Sequence, residues 1–486
     1  MQKSNKQIKR LFEINTVTFL KRLSLKYDQK ITLANIPDEE LATIVDFGFD
    51  AVWLMGVWQR SPLSAQFASQ SEGLLNEARQ FLPDFTPDDI ISSAYSVRSY
   101  TINEQLGDEA ELSILRQRLA DHNLKLILDF VPNHSALDSE WLVTHPEYYV
   151  HGSPENLQQN PSWFYNGASG ESIALGRDPN LNISWDDVAQ LNAFSDSYRQ
   201  GSAQTLQHLT KICDGVRCDM SMLMLNDVFT RTWGSLISER PTTEYWQEVI
   251  DSVRVNSPDF LFVAEAYWDL QKQLLDLGFD YCYEKSLSDY LIAKDNASVI
   301  NQLSETASIS NGLVRFLENH DEPRAAATLP TDQHRAALYL ISSLPGMLLC
   351  YEGETVGYPY KIPVQLRRQP DAPINQEIAA FYHKILSEKH MLDWRNYPND
   401  YRILIGLSTD HDFAAIINFS DEPITISLQT ALSDDATGLS SIESPFDTDV
   451  EVEISDDHCV NLKPWQIVEM NSSTGQLELQ AEAGQI

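Results

Sequence analysis

Short apolar runs alternate with amphipathic stretches along most of this 486-residue chain. An apolar run bounded by turn residues predicts a buried strand, whereas apolar positions three or four apart predict a helix. Eight runs are predicted strands: LFEINTVTFL (11–20), FDAVWLMGVW (49–58), LKLILDFV (124–131), DGVRCDM (214–220), FLFVAEAYW (260–268), GFDYCYEK (278–285), LVRFLENHD (313–321) and GMLLCYEG (346–353). Predicted helices include residues 36–48, 109–123, 244–255 and 377–390.

Strands that are apolar throughout and alternate with helices predict a parallel sheet covered on both faces. Eight such strands predict the α/β class and a (β/α)8 barrel. An open, doubly wound sheet is the alternative fold. The first strand is not followed by the glycine-rich loop that is typical of that alternative, so the barrel is favoured.

Two regions depart from this alternation. Residues 133–194 are polar and aromatic without a clear period, which predicts a functional insertion. After residue 392, RILIGLS, FAAIINFS, ITISLQT, VEVEIS and QIVEMNS predict a C-terminal antiparallel β-sandwich. The predicted organisation is therefore a barrel (1–132 and 195–392), an inserted subdomain (133–194), a sandwich (393–473) and a frayed tail (474–486).

Composition excludes several kinds of partner. The chain has 35 Lys and Arg against 70 Asp and Glu, a net charge of −35, which argues against binding nucleic acid or an anionic membrane. We find neither a membrane-spanning apolar run nor a secretory signal, so a cytoplasmic location is predicted. The five scattered cysteines favour buried free thiols over disulfides. The sequence predicts no oligomeric state.

Polar side chains stand at the ends of four predicted strands, where a (β/α)8 barrel places its active site. They are Asp129, Asn133 and His134 on the third strand, Arg217 and Asp219 on the fourth, Glu265 on the fifth, and Glu318, Asn319, His320, Asp321 and Arg324 on the seventh. Each has a structural explanation when taken alone, such as a helix cap for Asp219. Their coincidence on four strands favours one shared site.

Carboxyl groups that converge in a barrel mouth cannot all remain ionised, so one of them keeps its proton. A carboxylic acid beside a carboxylate is the pair that cleaves a glycosidic bond. Arg217 lies two residues before Asp219 and so shares its face of the strand, where it would keep Asp219 ionised and oriented. A metal site is the rival interpretation, but the adjacent arginine disfavours a divalent cation.

These segments resemble the α-amylase family of glycoside hydrolases (glycoside hydrolase family 13). DFVPNH, GVRCDMSML, FVAEAYW and FLENHD resemble its four motifs in order, and SAYSVRSYTINEQLG, WDDVAQLN and GMLLCYEGE resemble further segments. The resemblance implies three catalytic residues: Asp219 as nucleophile, Glu265 as general acid and base, and Asp321 as a ligand of the distorted sugar. It implies four further substrate-binding residues: Tyr95 stacked on the sugar, His134 and His320 hydrogen-bonded to it, and Arg217 orienting Asp219.

The function implied is a retaining α-glycoside hydrolase acting on α-glucosidic bonds of oligosaccharides or glucans. A transglycosidase with the same residues and a non-catalytic sugar-binding or scaffolding relative are the alternatives. Asn133 stands where many members of the family place a calcium ligand. We match no complete set of calcium ligands, so no cofactor is predicted and calcium remains an alternative.

Overall fold

Eight parallel strands close into a barrel in the computed structural model, which describes residues 8–166, 172–237, 239–387, 390–410, 412–432, 439–443 and 459–472. They are Arg10–Asn15, Ala51–Met55, Lys125–Phe130, Gly215–Cys218, Leu261–Ala264, Tyr281–Tyr283, Leu313–Arg315 and Met347–Tyr351. Each pairs with its neighbours in chain order, and the first pairs with the eighth. The predicted (β/α)8 barrel is confirmed.

The first predicted strand was too long. It ends at Asn15, and residues Thr16–Lys26 form a helix that buries Phe19, Leu20 and Leu23. The β-branched residues of NTVTFL favour a strand locally, but the helical spacing of these three apolar residues decides the outcome. The fifth and seventh strands also stop early, at Ala264 and Arg315, before the polar residues that follow them.

Helices follow most of the barrel strands, and all four predicted helices are confirmed. The described α-helices are Thr16–Lys26, Asp38–Asp46, Pro62–Gln70, Glu72–Phe81, Glu109–Asp121, Trp141–Thr144, Pro154–Gln159, Asp196–Ile212, Asn226–Trp233, Tyr245–Arg254, Gln271–Asp276, Lys285–Ala293, Asn296–Thr306, Ala325–Thr328, Thr331–Ser342, Gln376–Ser387 and Leu428–Ala431. Several of these helices bury mainly apolar residues; Tyr245–Arg254, for example, buries Trp246, Val249 and Ile250.

The region predicted to be an irregular insertion contains an antiparallel sheet. Its strands are His134–Ala136, His151–Gly152, Phe164–Asn166, Ser172–Asp178 and Ile183–Gln190. Most of them are short, and the register shifts between Ser184 and Ala189. A bulge interrupts the period-two alternation of side chains, which explains why the sequence shows no strand pattern there.

The C-terminal part forms the predicted antiparallel sandwich. One sheet pairs Leu392–Tyr397, Asp400–Ser408, Phe413–Asn418, Ile467–Ser472 and Leu439–Glu443 in that order, and the other pairs Ile424–Ser427 with Cys459–Leu462. Both sheets contribute to one core, in which Ile405, Ile416 and Val460 are buried. VEVEIS and the predicted tail lie outside the described residues.

The chain folds as two compact units, each built from more than one segment. The first comprises Met1–Tyr283, His320–Glu322 and Tyr360–Asp371, and the second comprises Glu284–Asn319, Pro323–Pro359 and Ala372–Ile486. All seven residues predicted to act on substrate belong to the first unit. The domain boundaries predicted from the sequence remain predictions.

Two expectations from composition can be compared with the structure. All five cysteines are free, and four of them are buried, as predicted. In the part of the chain that the structure describes, every helix is too short or too polar to span a bilayer. The cytoplasmic location remains a prediction.

Gly215 begins the fourth strand at a point where a side chain has no room. An added Cβ would lie 2.6 Å from Leu261 Cβ and 2.8 Å from the Leu261 carbonyl oxygen. We expect Gly215→Ala to destabilise the fold by about 1–3 kcal/mol through overpacking, measured as a lower thermal unfolding midpoint.

Gly73 provides the matched control. It lies in the helix Glu72–Phe81, and an added Cβ would meet no atom within 4 Å. Gly73→Ala should be neutral or stabilise by up to about 1 kcal/mol, because alanine favours a helix over glycine. An unchanged midpoint for Gly215→Ala would contradict the prediction.

Candidate active site

The fourth strand places Arg217 in the barrel interior and Asp219 just beyond the strand end. Arg217 is completely buried, and its guanidinium carbon lies 5.0 Å from the ring centre of Trp53 and 5.5 Å from that of Tyr283. Its Nη1 donates to Asp219 Oδ1 at 2.8 Å. Cys218, on the opposite face, is buried in packing. The predicted pairing of Arg217 with Asp219 is therefore present.

The same guanidinium also binds Glu265, which the sequence did not indicate. Arg217 Nη2 lies 3.0 Å from Glu265 Oε2, so one arginine bridges the two carboxyl groups. Glu265 Oε2 also accepts the backbone N–H of Met220 at 2.6 Å. Met220 adopts a left-handed conformation, with φ of 43°, at the end of the strand. Such strain in a non-glycine residue is typical of functional sites.

The two carboxyl groups influence each other's ionisation. Burial and the negative charge of Glu265 raise the pKa of Asp219 to about 8, although Arg217 opposes the shift. We expected Arg217 to keep Asp219 ionised, but its charge is shared with Glu265 and only partly offsets the other effects. Near neutral pH the pair therefore holds one proton, which gives one acid and one carboxylate.

Asp219 Oδ2 is the less constrained oxygen of this carboxyl group. Among the described residues none donates a hydrogen bond to it, and His134 Nε2 lies 3.9 Å away. Asn133 Nδ2 lies 3.2 Å from His134 Nδ1, which makes Nδ1 an acceptor and places the ring proton on Nε2. Burial lowers the pKa of His134 to about 4, so the ring is neutral and presents a donor on the side of Asp219.

Asp321 presents its carboxyl group to solvent, with its side chain 49% exposed. Its Oδ2 lies 3.0 Å from Nε2 of His320, which is buried. Burial raises the pKa of Asp321, but the positive charge of His320 and its hydrogen bond outweigh that effect and hold the pKa well below its usual range. Asp321 is therefore an exposed carboxylate that contacts a buried cation, His320.

His320 and Tyr95 bind each other, although both were predicted to contact sugar. The Tyr95 hydroxyl lies 2.8 Å from His320 Nε2, and the two rings stack with centroids 5.3 Å apart. The other ring nitrogen of His320, Nδ1, lies 2.5 Å from Glu13 Oε1. Both nitrogens of His320 thus contact protein groups, and the sugar contacts of His320 and Tyr95 remain predictions.

Two other residues of the seventh-strand motif form a separate structural pair. Glu318 Oε1 lies 2.9 Å from Arg324 Nε, and Glu318 Oε2 accepts the backbone N–H of Ala325 at 2.5 Å. Both side chains are almost completely buried. This arrangement fits a role in holding the loop.

Four residues near the site were missed by sequence reasoning. Tyr267 donates to Glu265 Oε1 at 2.8 Å, the Trp185 ring centre lies 5.3 Å from that of His134, and Lys361 donates to the main-chain oxygen of Asp321. Glu13 is the fourth, and it did carry a signal, as a lone carboxylate within the apolar run LFEIN. Trp185 and Lys361 are distant in sequence from their contacts, so no local pattern could indicate them.

The surroundings of Asn133 do not fit a calcium ion. Gln190 Nε2 lies 2.9 Å from Asn133 Oδ1, 2.8 Å from the Asn133 carbonyl oxygen and 2.9 Å from the Leu191 carbonyl oxygen, so its two N–H groups are shared among three acceptors. An amide NH2 group thus occupies the point where three oxygens converge, and a cation would repel it. Within the described residues, no group of three His, Cys, Asp or Glu side chains is arranged for metal binding.

Calcium dependence can be tested by unfolding. We expect the melting temperature of the wild type to be the same in EDTA and in millimolar calcium, because the Gln190 amide already occupies the point where the three oxygens converge. Gln190→Glu places a carboxylate among them. It should lower the melting temperature in EDTA and recover part of the loss with calcium, since calcium prefers oxygen ligands. A calcium-reversible loss in the wild type would overturn this interpretation.

Comparison with known proteins shows the family to which the chain is similar. A family model described as the alpha amylase catalytic domain matches residues 36–391. The chain is 23% identical over 356 residues to alpha-amylase MalA of Haloarcula japonica, covering 68% of this chain and 48% of that protein. It is 25% identical over 258 residues to a cyclomaltodextrin glucanotransferase of Thermoanaerobacterium thermosulfurigenes, covering 50% of this chain and 35% of that protein.

The solved structures agree on the fold. An alpha-amylase from Lactobacillus plantarum superposes with a TM-score of 0.68 at 18% identity, covering 95% of this chain and 98% of that one. The chain spans about half the length of the curated α-amylase that it matches. Since the family model matches well over half of the chain, this protein belongs to the α-amylase family.

Proposed function

We propose that this protein is a retaining α-glycoside hydrolase that cleaves α-glucosidic bonds in oligosaccharides or glucans. The observation that carries the proposal is the buried Arg217 bridge. It lies 2.8 Å from Asp219 and 3.0 Å from Glu265. Burial and the charge of Glu265 raise the pKa of Asp219, so we expect the pair to keep one proton near neutral pH. A carboxylate and a carboxylic acid in one site are the two groups that a retaining glycosidase requires.

The proposed reaction starts from the arrangement in which the shared proton lies on Glu265. Asp219 Oδ2 attacks the anomeric carbon while Glu265 protonates the departing glycosidic oxygen. The product is a covalent glycosyl-enzyme, and Glu265 is then a carboxylate. In the second step Glu265 takes a proton from water, which attacks the anomeric carbon and releases Asp219. Two inversions give net retention, for which the carboxyl groups should stand about 5–5.5 Å apart.

Neighbouring groups support these roles. Arg217 Nη1 fixes Asp219 Oδ1, so Oδ2 remains available for attack. The neutral His134 offers an N–H donor beside Asp219, and the exposed carboxylate of Asp321 can accept hydrogen bonds from sugar hydroxyls. In the transition state these interactions stabilise charge and favour a distorted ring.

Transglycosylation is the second candidate, because the chain is similar to a glucanotransferase. The two functions differ only in whether water or a sugar hydroxyl reaches the glycosyl-enzyme. Incubation with maltooligosaccharides of single length separates them, since only transfer gives products longer than the substrate. The non-catalytic alternative is disfavoured because Asp219, Glu265 and Asp321 are all present.

Replacement of the catalytic pair tests the proposal directly. Asp219→Asn should lower kcat on the order of 10⁴-fold and Glu265→Gln about 10²–10⁴-fold, with the fold retained. Asp227→Asn and Glu147→Gln are matched controls, because both residues are exposed. We would measure turnover on a panel of α-linked di- and oligosaccharides. Near wild-type activity in either catalytic variant would refute the assignment.

The shared proton predicts a pH dependence. Because burial and Glu265 raise the pKa of Asp219 to about 8, the pair loses its proton as the pH rises through that value. We therefore expect kcat/KM on an oligosaccharide to fall above about pH 8, where the pair no longer holds a proton to give to the departing oxygen. α-Glucosyl fluoride should show a weaker decline, because fluoride leaves without protonation. Activity that kept rising beyond pH 8 would contradict the shared proton.

A further inference from the structure

Glu13 is a completely buried carboxylate with no part in the reaction described above. It lies on the first barrel strand, between the apolar neighbours Phe12 and Ile14, and its side chain has no solvent exposure. An ionised carboxyl group in such surroundings is strongly destabilising unless a cation or hydrogen-bond donors accompany it. Its partner is His320, whose Nδ1 lies 2.5 Å from Glu13 Oε1.

The contacts of His320 require a proton on each ring nitrogen. Nδ1 faces the Glu13 carboxylate, and Nε2 lies 3.0 Å from Asp321 Oδ2 and 2.8 Å from the Tyr95 hydroxyl. A neutral imidazole has a single N–H and would leave one carboxylate facing a nitrogen lone pair. Only the imidazolium donates in both directions at once.

The charges around His320 come from several elements. Glu13 on the first strand and Asp321 beside the ring are the two anions in contact, and the more distant Asp129 also influences its charge. The cation Arg217 also contacts Tyr95, with its guanidinium carbon 5.3 Å from the centre of that ring. The anions in contact thus outnumber the cation nearby, which favours a positive charge on His320.

We propose that Glu13 is a positioning residue that holds His320 as an imidazolium, so that His320 fixes the Asp321 carboxylate in the orientation that binds the distorted sugar. The inference deepens the proposed function and rests on it for the role of Asp321. Burial lowers the pKa of His320, but the charges and hydrogen bonds of Asp321 and Glu13 outweigh it and raise the pKa well above its ordinary value.

Removal of the Glu13 charge should make the contact between His320 and Asp321 pH-dependent. In Glu13→Gln, His320 loses one of its two anions, so its pKa should fall by about one unit or more. The ring would then lose its proton as the pH rises, and Asp321 would lose its cationic partner. The expected result is a ratio of variant to wild-type kcat/KM that declines progressively as the pH rises through the lowered pKa of His320 in the variant.

Glu284→Gln is the matched control. Glu284 is also completely buried and pairs with Arg315 at 2.7 Å, an ion pair that has no place in the proposed reaction. Its removal should lower stability but leave the activity ratio independent of pH. Glu13→Asp retains the charge at a longer distance and should restore part of the wild-type profile.

A second measurement does not depend on activity. The ring nitrogens of ¹⁵N-labelled histidine report protonation by NMR, and His320→Gln identifies the signals of His320. We expect these signals to titrate at least about one pH unit lower in Glu13→Gln than in the wild type. A protein without glycosidase activity would refute the proposed function, whereas this titration would still decide the role of Glu13.

A pH-independent activity ratio together with an unchanged His320 titration in Glu13→Gln would overturn the inference and leave Glu13 a structural residue. If Glu13→Gln does not fold, Glu13→Met, which also removes the charge and has a similar volume, replaces it in the titration. An unchanged His320 pKa in that variant would overturn the inference equally.

Discussion

The interaction on which this site depends is the double contact of Arg217 with Asp219 and Glu265. Two carboxyl groups in a buried site repel each other and resist ionisation, and one cation alone cannot neutralise both. Arg217 supplies one positive charge, and the retained proton removes one of the two negative charges. The cluster is therefore neutral overall while it still contains a carboxylate and an acid. Arginine suits this position because its planar fork binds two partners at once and stays protonated.

The barrel makes this arrangement rigid. Parallel pairing aligns Arg217 with Asp129 on the third strand and Val263 on the fifth, and Glu265 directly follows the end of that fifth strand at Ala264. Asp129 in turn accepts hydrogen bonds from the Trp53 indole at 3.0 Å and from the Gly56 backbone at 2.8 Å. Buried polar groups of this kind weaken a core unless all of them are satisfied, so they are better explained by the chemistry of the site than by stability.

The local sequence pattern predicts the barrel of this protein but only part of its candidate active site. Apolar runs revealed all eight barrel strands, because a strand buried on both faces needs no polar residue until it ends. The positions of Asp219, Glu265 and Asp321 followed from the same strand ends. The contact between Arg217 and Glu265 joins residues 48 positions apart, and no periodicity encodes it. Glu13 stands out in the sequence as a lone carboxylate in an apolar run. Its partner His320, however, lies 307 residues away, so the sequence does not indicate the contact.

The insertion shows how a structural contact can determine catalytic geometry. Its last strand pairs with His134–Ala136, with Gln190 opposite His134, so the orientation of His134 depends on the insertion being folded. Gln190 then closes the turn by binding both oxygens of Asn133, while the Asn133 amide contacts the His134 ring. A neutral amide provides this link without adding charge.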